Sequence, residues 1–209
     1  GMAAVFGSQI AMSANEIAFF VAMLFAGALV LQYPIGWLSD RLDRRQVILG
    51  TALLGAAACG LGWLAGSGLP ALQDWGRWPL MAAAFLGGGM TTPLYALLLA
   101  YTNDALAVED MPAASGGLVF TFGLGAILGP LVTGWAMESV GPNGFWLVVG
   151  LTFTALALYA AWRMTQRAAT PVEETESYLG VLPTASAVTV EAAGAWSADQ
   201  ADSDTGDTR

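Results

Sequence analysis

Long uncharged apolar runs alternate with short polar breaks from the start of the chain to about residue 162. Five runs stand out: Ala18 to Leu38, Val47 to Gly66, Trp78 to Tyr101, Ala113 to Met137 and Gly144 to Trp162. Each is long enough, as a helix rising about 1.5 Å per residue, to cross roughly 30 Å of hydrocarbon. Gly1 to Ser13 is apolar too, but would cover only about 20 Å. The pattern therefore predicts an all-α integral membrane protein with five complete transmembrane helices preceded by a truncated first one.

The polar breaks define the loops. Asn15 and Glu16 predict a turn, Gly68 to Arg77 a loop, and Glu138 to Asn143 a short turn. Asn103 to Pro112 carries Asp104, Glu109 and Asp110, and Asp110 with Pro112 reads as a helix start. The densest break places Asp40, Arg41, Asp43, Arg44 and Arg45 within six positions. Short arginine-rich loops stay on the cytoplasmic side, so this cluster orients the chain. Arg41, Arg44, Arg45, Arg163 and Arg167 then fall on one side, and Arg77 falls on the other. Trp37, Trp63, Trp75, Trp78 and Trp162 lie near span ends, where interfacial aromatics belong.

Composition narrows the function. Of 209 residues 56% are hydrophobic, which excludes an ordinary soluble domain. Histidine and lysine are absent and Cys59 is the sole cysteine, so disulfides, Cys/His metal sites and histidine acid–base chemistry are lacking within this chain. No cofactor is expected. The net charge of −9 misleads, because eight of the sixteen acidic residues follow Thr170. The membrane portion is nearly balanced and offers no basic surface for nucleic acid. The N-terminus has no charged n-region, so insertion is expected to rely on the spans. After Arg167 the chain turns to Ala, Thr, Ser, Glu and Asp without periodicity, which predicts a membrane domain over 1–167 and a disordered cytoplasmic tail over 168–209.

The run from Gln32-Tyr33-Pro34-Ile35-Gly36-Trp37-Leu38-Ser39 through Asp40-Arg41-Leu42-Asp43-Arg44-Arg45 resembles the loop signature of the major facilitator superfamily of secondary transporters, which has glycine where Asp43 stands. With Pro93-Leu94-Tyr95 and Gly129-Pro130, it looks like the bacterial YcaD-like branch. The resemblance covers residues 3 to 165 and implies helices seven to twelve, the C-terminal half of a twelve-helix bundle in a bacterial inner membrane. It further implies two inverted three-helix repeats, a missing N-terminal six-helix half, and a small-molecule solute bound near the midplane by alternating access. The fragment is then part of a transporter and not an enzyme.

By the same resemblance Gly36, Asp40, Arg41, Arg44 and Arg45 form a conformational latch. Asp40 reaches across the interface between halves to a helix N-terminus, and the arginines organise the cytoplasmic face. The plainer alternative is that the arginines only set orientation. Asp43 departs from the pattern and could pair locally with an arginine. Gly125, Gly129, Pro130 and Gly134 form either a hinge or an ordinary close-packing face. Gln32, Tyr33, Thr91, Thr92 and Tyr95 are candidate solute-pathway residues, as polar groups at membrane depth, and interhelical hydrogen bonding is their alternative role. Gln9, Asn15 and Tyr101 belong to the same set. Glu16, at a helix end, is the one carboxylate available for proton coupling. A membrane enzyme using Asp40 and Asp43 would need further carboxylates, which the adjacent spans lack, and a non-transporting scaffold is the other alternative.

Overall fold

The computed structural model describes residues 1–103 and 111–166. These form seven helices: α1 (Met2–Gln9), α2 (Ala14–Ser39), α3 (Arg44–Gly66), α4 (Pro70–Gln73), α5 (Trp78–Asn103), α6 (Met111–Val140) and α7 (Gly144–Gln166). Five of them, all but α1 and α4, are long and apolar enough to cross a membrane. The expected tail over 168–209 and the acidic break at Asp104, Glu109 and Asp110 lie outside the described residues.

Several boundaries move. Asn15 and Glu16 belong to the first turn of α2, because Ser13 and Glu16 form a capping box that starts the helix there. The Ser13 N–H donates to Glu16 Oε2 at 2.8 Å, and the Glu16 N–H donates to Ser13 Oγ at 3.3 Å. Glu138 is helical rather than in a turn, since α6 runs on to Val140 and Gly141 reverses the chain with φ of +90°. The loop after α3 contains the single turn α4, with Pro70 at its start.

The packing follows a ring. α2 lies along α5, α5 along α3, α3 along α7, and α7 along α6, while α1 touches α2, α6 and α7. α5, a full span, packs along one side of α2, whereas α1, with only eight residues, covers little of α6.

Glycine sets the tightest contacts. A Cβ on Gly27 of α2 would strike the Phe85 carbonyl of α5, and one on Gly88 would strike the Leu24 carbonyl of α2. The two backbones touch. Gly55 and Gly62 of α3 are covered by the rings of Phe153 and Trp146 of α7. The Gly87-Gly88-Gly89 run sits in an unbroken helix, with α2 packed directly on it. At one end Phe6, Phe20, Phe145 and Trp146 tie α1, α2 and α7 together, with Phe6 and Phe145 stacked at 5.4 Å and Phe145 edge-on to Trp146 at 5.1 Å.

Adjacent glycines should therefore answer differently to the same change. Gly88→Ala forces backbone apart and should lower stability by about 1–3 kcal/mol, whereas Gly87→Ala, with open space at its Cβ, should be neutral or slightly stabilising. Thermal unfolding in detergent checks this, and equal melting temperatures for the two variants would contradict the α2–α5 contact.

Candidate functional site

The arginine loop is a tight reversal between α2 and α3. Asp40 takes the C-cap of α2, its N–H donating to the Gly36 carbonyl at 3.1 Å. Leu42 then donates to the Leu38 carbonyl at 3.0 Å. Asp43 is the N-cap of α3 with φ of −53°, an angle that needs no glycine. Its Oδ1 accepts the Arg45 N–H at 2.9 Å. The expected local pairing with an arginine side chain is thus replaced by a backbone cap. The cap also sets a negative charge against the positive end of α3, where Arg44 and Arg45 are otherwise unfavourable.

The three arginines divide into two sets. Arg44 and Arg45 are buried, at 3% and 8% exposure, although both carry full charges. Arg44 Nε donates to Oγ of the buried Ser39 at 3.4 Å, and the Arg45 guanidinium lies 5.9 Å from the ring centre of Tyr101 near the end of α5. Arg41 turns outward. It stacks 4.0 Å over the Trp37 ring and donates from Nη1 to the Trp37 carbonyl at 3.3 Å, which complements the C-terminus of α2. Asp40 is exposed beside them, and Gly36 is buried one turn earlier. Arg45 ties the loop to α5 and Arg44 ties it to the end of α2, while Arg41 and Asp40 stay exposed.

The second group lies on α2, α5 and α6. Tyr33 is 79% exposed on α2, with Gln32 half-buried beside it. Tyr95 of α5 meets Phe122 of α6 edge-on at 6.0 Å. Thr92 is half-buried, and Thr91 donates to its own helix at the Gly87 carbonyl, 2.9 Å away, so it requires no cavity for its hydroxyl. Gly125 and Gly129 have nothing within 4 Å of a Cβ, and Gly134 has only the Met2 methyl at 3.8 Å. Pro130 lies inside α6 and is exposed. Along the glycine-proline face Gly125 and Gly129 thus look onto open space, and Gly134 meets only the end of α1 among the described residues.

Reasoning from sequence missed three partners. Tyr101, grouped with the pathway residues, lies instead at the arginine loop. Ser39 holds Arg44. Arg77 reaches Glu16, with Nε 3.4 Å from Oε1, and donates to the Ile10 carbonyl at 3.3 and 3.4 Å, joining α1, α2 and the start of α5. The Ser-x-x-Glu spacing at 13–16 was the legible signal for the first half of that cluster. Among the described residues no three His, Cys, Asp or Glu side chains could hold one metal ion.

A family model described as Major Facilitator Superfamily matches residues 1–198. The chain belongs to the major facilitator superfamily. It is 27% identical over 154 residues to the uncharacterized MFS-type transporter YfkF of Bacillus subtilis, covering 74% of this chain and 37% of that protein. It is 31% identical over 133 residues to the inner membrane transport protein YajR of Escherichia coli, covering 62% of this chain and 26% of that protein. An uncharacterized MFS-type transporter of Enterobacter is 23% identical over 66% of this chain and 33% of its own length. The chain thus matches about a third of the length of these relatives, and no solved structure matches it.

The Asp43 cap is open to direct test. Asp43→Ala should cost about 1 kcal/mol of stability, while Asp43→Ser should retain most of it. Chemical or thermal unfolding compares the two, and equal losses would show that the carboxylate acts through something other than the α3 N-terminus.

Proposed function

We propose that this chain is the C-terminal half of a secondary transporter that moves a small solute across a bacterial inner membrane by alternating access. The observation that carries this reading is the exposure of α2 and α6. In their most apolar 18-residue windows only 11% and 6% is buried, against 44% and 50% in α3 and α5. Phe25, Leu29 and Tyr33 on α2 and Phe120, Ile127 and Leu131 on α6 present apolar surface that another helical half could cover. Tyr33, Gln32, Thr92 and Tyr95 lie on or beside those faces and are the groups we assign to the solute pathway.

The loop supplies the conformational element. Arg44 and Arg45 are held inside the bundle, so Asp40 is presented on a rigid base. Its carboxylate stands at the negative end of its own helix, an unfavourable place worth about 0.3–1 kcal/mol, and a helix N-terminus from the second half would reverse that sign. A contact made in one state and broken in the other biases the equilibrium between them. The glycine-proline face of α6 is assigned to packing against that same half, with the arginine loop on the cytoplasmic side. Glu16 is already engaged by Ser13 and Arg77, so proton coupling through it is not part of this reading.

The test joins this chain to an N-terminal six-helix partner in one reading frame and measures solute flux in proteoliposomes across a panel of amphipathic compounds and metabolites. Asp40→Asn should lower flux about tenfold or more, with little change in melting temperature. Flux that is unaffected by Asp40→Asn would remove the latch, and no flux for any compound in a folded protein would count against transport.

A further inference from the structure

A second charged site stands at the opposite end of the bundle from the arginine loop. Glu16 and Arg77 lie at the starts of α2 and α5, each about 40% exposed. With Phe19, Trp78 and Met81 they line a cavity of about 160 Å³. Phe19 and Trp78 are themselves 44% and 69% exposed, so the cavity is open, with apolar lining beside one charge of each sign. Both helices are candidate spans, which sets the cavity at the boundary between hydrocarbon and water.

We infer that this cavity seats the headgroup of a phospholipid bearing a phosphate and a primary ammonium. The guanidinium has five N–H groups, and its contacts with Glu16 and the Ile10 carbonyl occupy three of them. The remaining two can donate to a phosphate oxygen. Glu16 Oε1, whose one partner among the described residues is Arg77, can accept from the ammonium as well. Phe19, Met81 and Trp78 then border the glycerol and the upper acyl chain, as aromatic residues do at this depth. The order of charges selects among lipids. A headgroup with phosphate alone places no cation on Glu16, and a trimethylated ammonium cannot donate an N–H to it.

The experiment uses the full chain purified in detergent, incubated with equal amounts of phosphatidylethanolamine, phosphatidylcholine and phosphatidylglycerol of the same acyl chains, with retained lipid read by native mass spectrometry. Phosphatidylethanolamine should be retained about fivefold over the other two. Glu16→Gln removes the charge while glutamine still completes the capping box, and it should bring phosphatidylethanolamine and phosphatidylglycerol to parity. Trp78→Ala should lower retention of all three lipids and leave their order intact. Equal retention by the unaltered chain, or a preference that survives Glu16→Gln, overturns the assignment. Binding of free phosphoethanolamine as tightly as the lipid overturns it as well, by making this a soluble-solute site.

Discussion

The described fold depends on backbone meeting backbone between α2 and α5. In a bilayer there is no hydrophobic gain from moving a leucine out of lipid and into a helix interface, so close fit and dispersion must hold helices together. Gly27 against Phe85 and Gly88 against Leu24 are the closest glycine-to-backbone approaches among the described residues. That contact lets α5 lie between α2 and α3, and α3 in turn receives Phe153 and Trp146 of α7 on Gly55 and Gly62. Backbone contact joins α2 to α5, rings on small residues join α3 to α7, and α5 packed along α3 links the two pairs. The Ser13–Glu16–Arg77 cluster fastens this assembly at one end and the Arg44–Ser39 and Arg45–Tyr101 contacts fasten it at the other.

Buried arginines at the loop fit this division of labour. A guanidinium inside protein is costly unless it is engaged, and Arg44 and Arg45 both have partners. Arg41 and Asp40 remain at the surface on the same short turn. One loop therefore has an anchoring side and a presenting side, an arrangement that suits a signature expected both to hold one half rigid and to contact another.

Much of this was legible in the sequence, and the reason is the contrast between lipid and water. Runs such as Val47 to Gly66 and Gly144 to Trp162 announce themselves because charges are expelled from hydrocarbon, and the arginine signature led to the family that the comparison then showed. Faces were not legible. Lipid and protein interior are equally apolar, so periodicity cannot say that Gly88 packs while Gly87 does not, or that Gly125 and Gly129 meet open space. Helix ends moved for local reasons: the capping box drew Asn15 and Glu16 into α2, and α6 extended through Glu138 because nothing before Gly141 stops it. Asp43 looked like an exception to a glycine rule and serves as a cap, a role visible only once its φ is known. Tyr101 was placed by a contact 56 residues away in sequence, which no local pattern encodes.

On the proposed two-half reading, the open faces of α2 and α6 turn to a second half and its aqueous path, which leaves the exposed sides of α3 and α7, at Leu53 and Leu158, to lipid. Spin labels placed singly at Tyr33, Phe120, Leu53 and Leu158, with Cys59 replaced by serine, test it in the joined twelve-helix protein reconstituted in vesicles. Relaxation by a water-soluble nickel chelate is compared with relaxation by oxygen, which concentrates in the hydrocarbon. The chelate should dominate, or neither agent should reach the label, at Tyr33 and Phe120, and oxygen should dominate at Leu53 and Leu158. Oxygen dominating at all four positions would mean that α2 and α6 face lipid and would contradict the two-half arrangement.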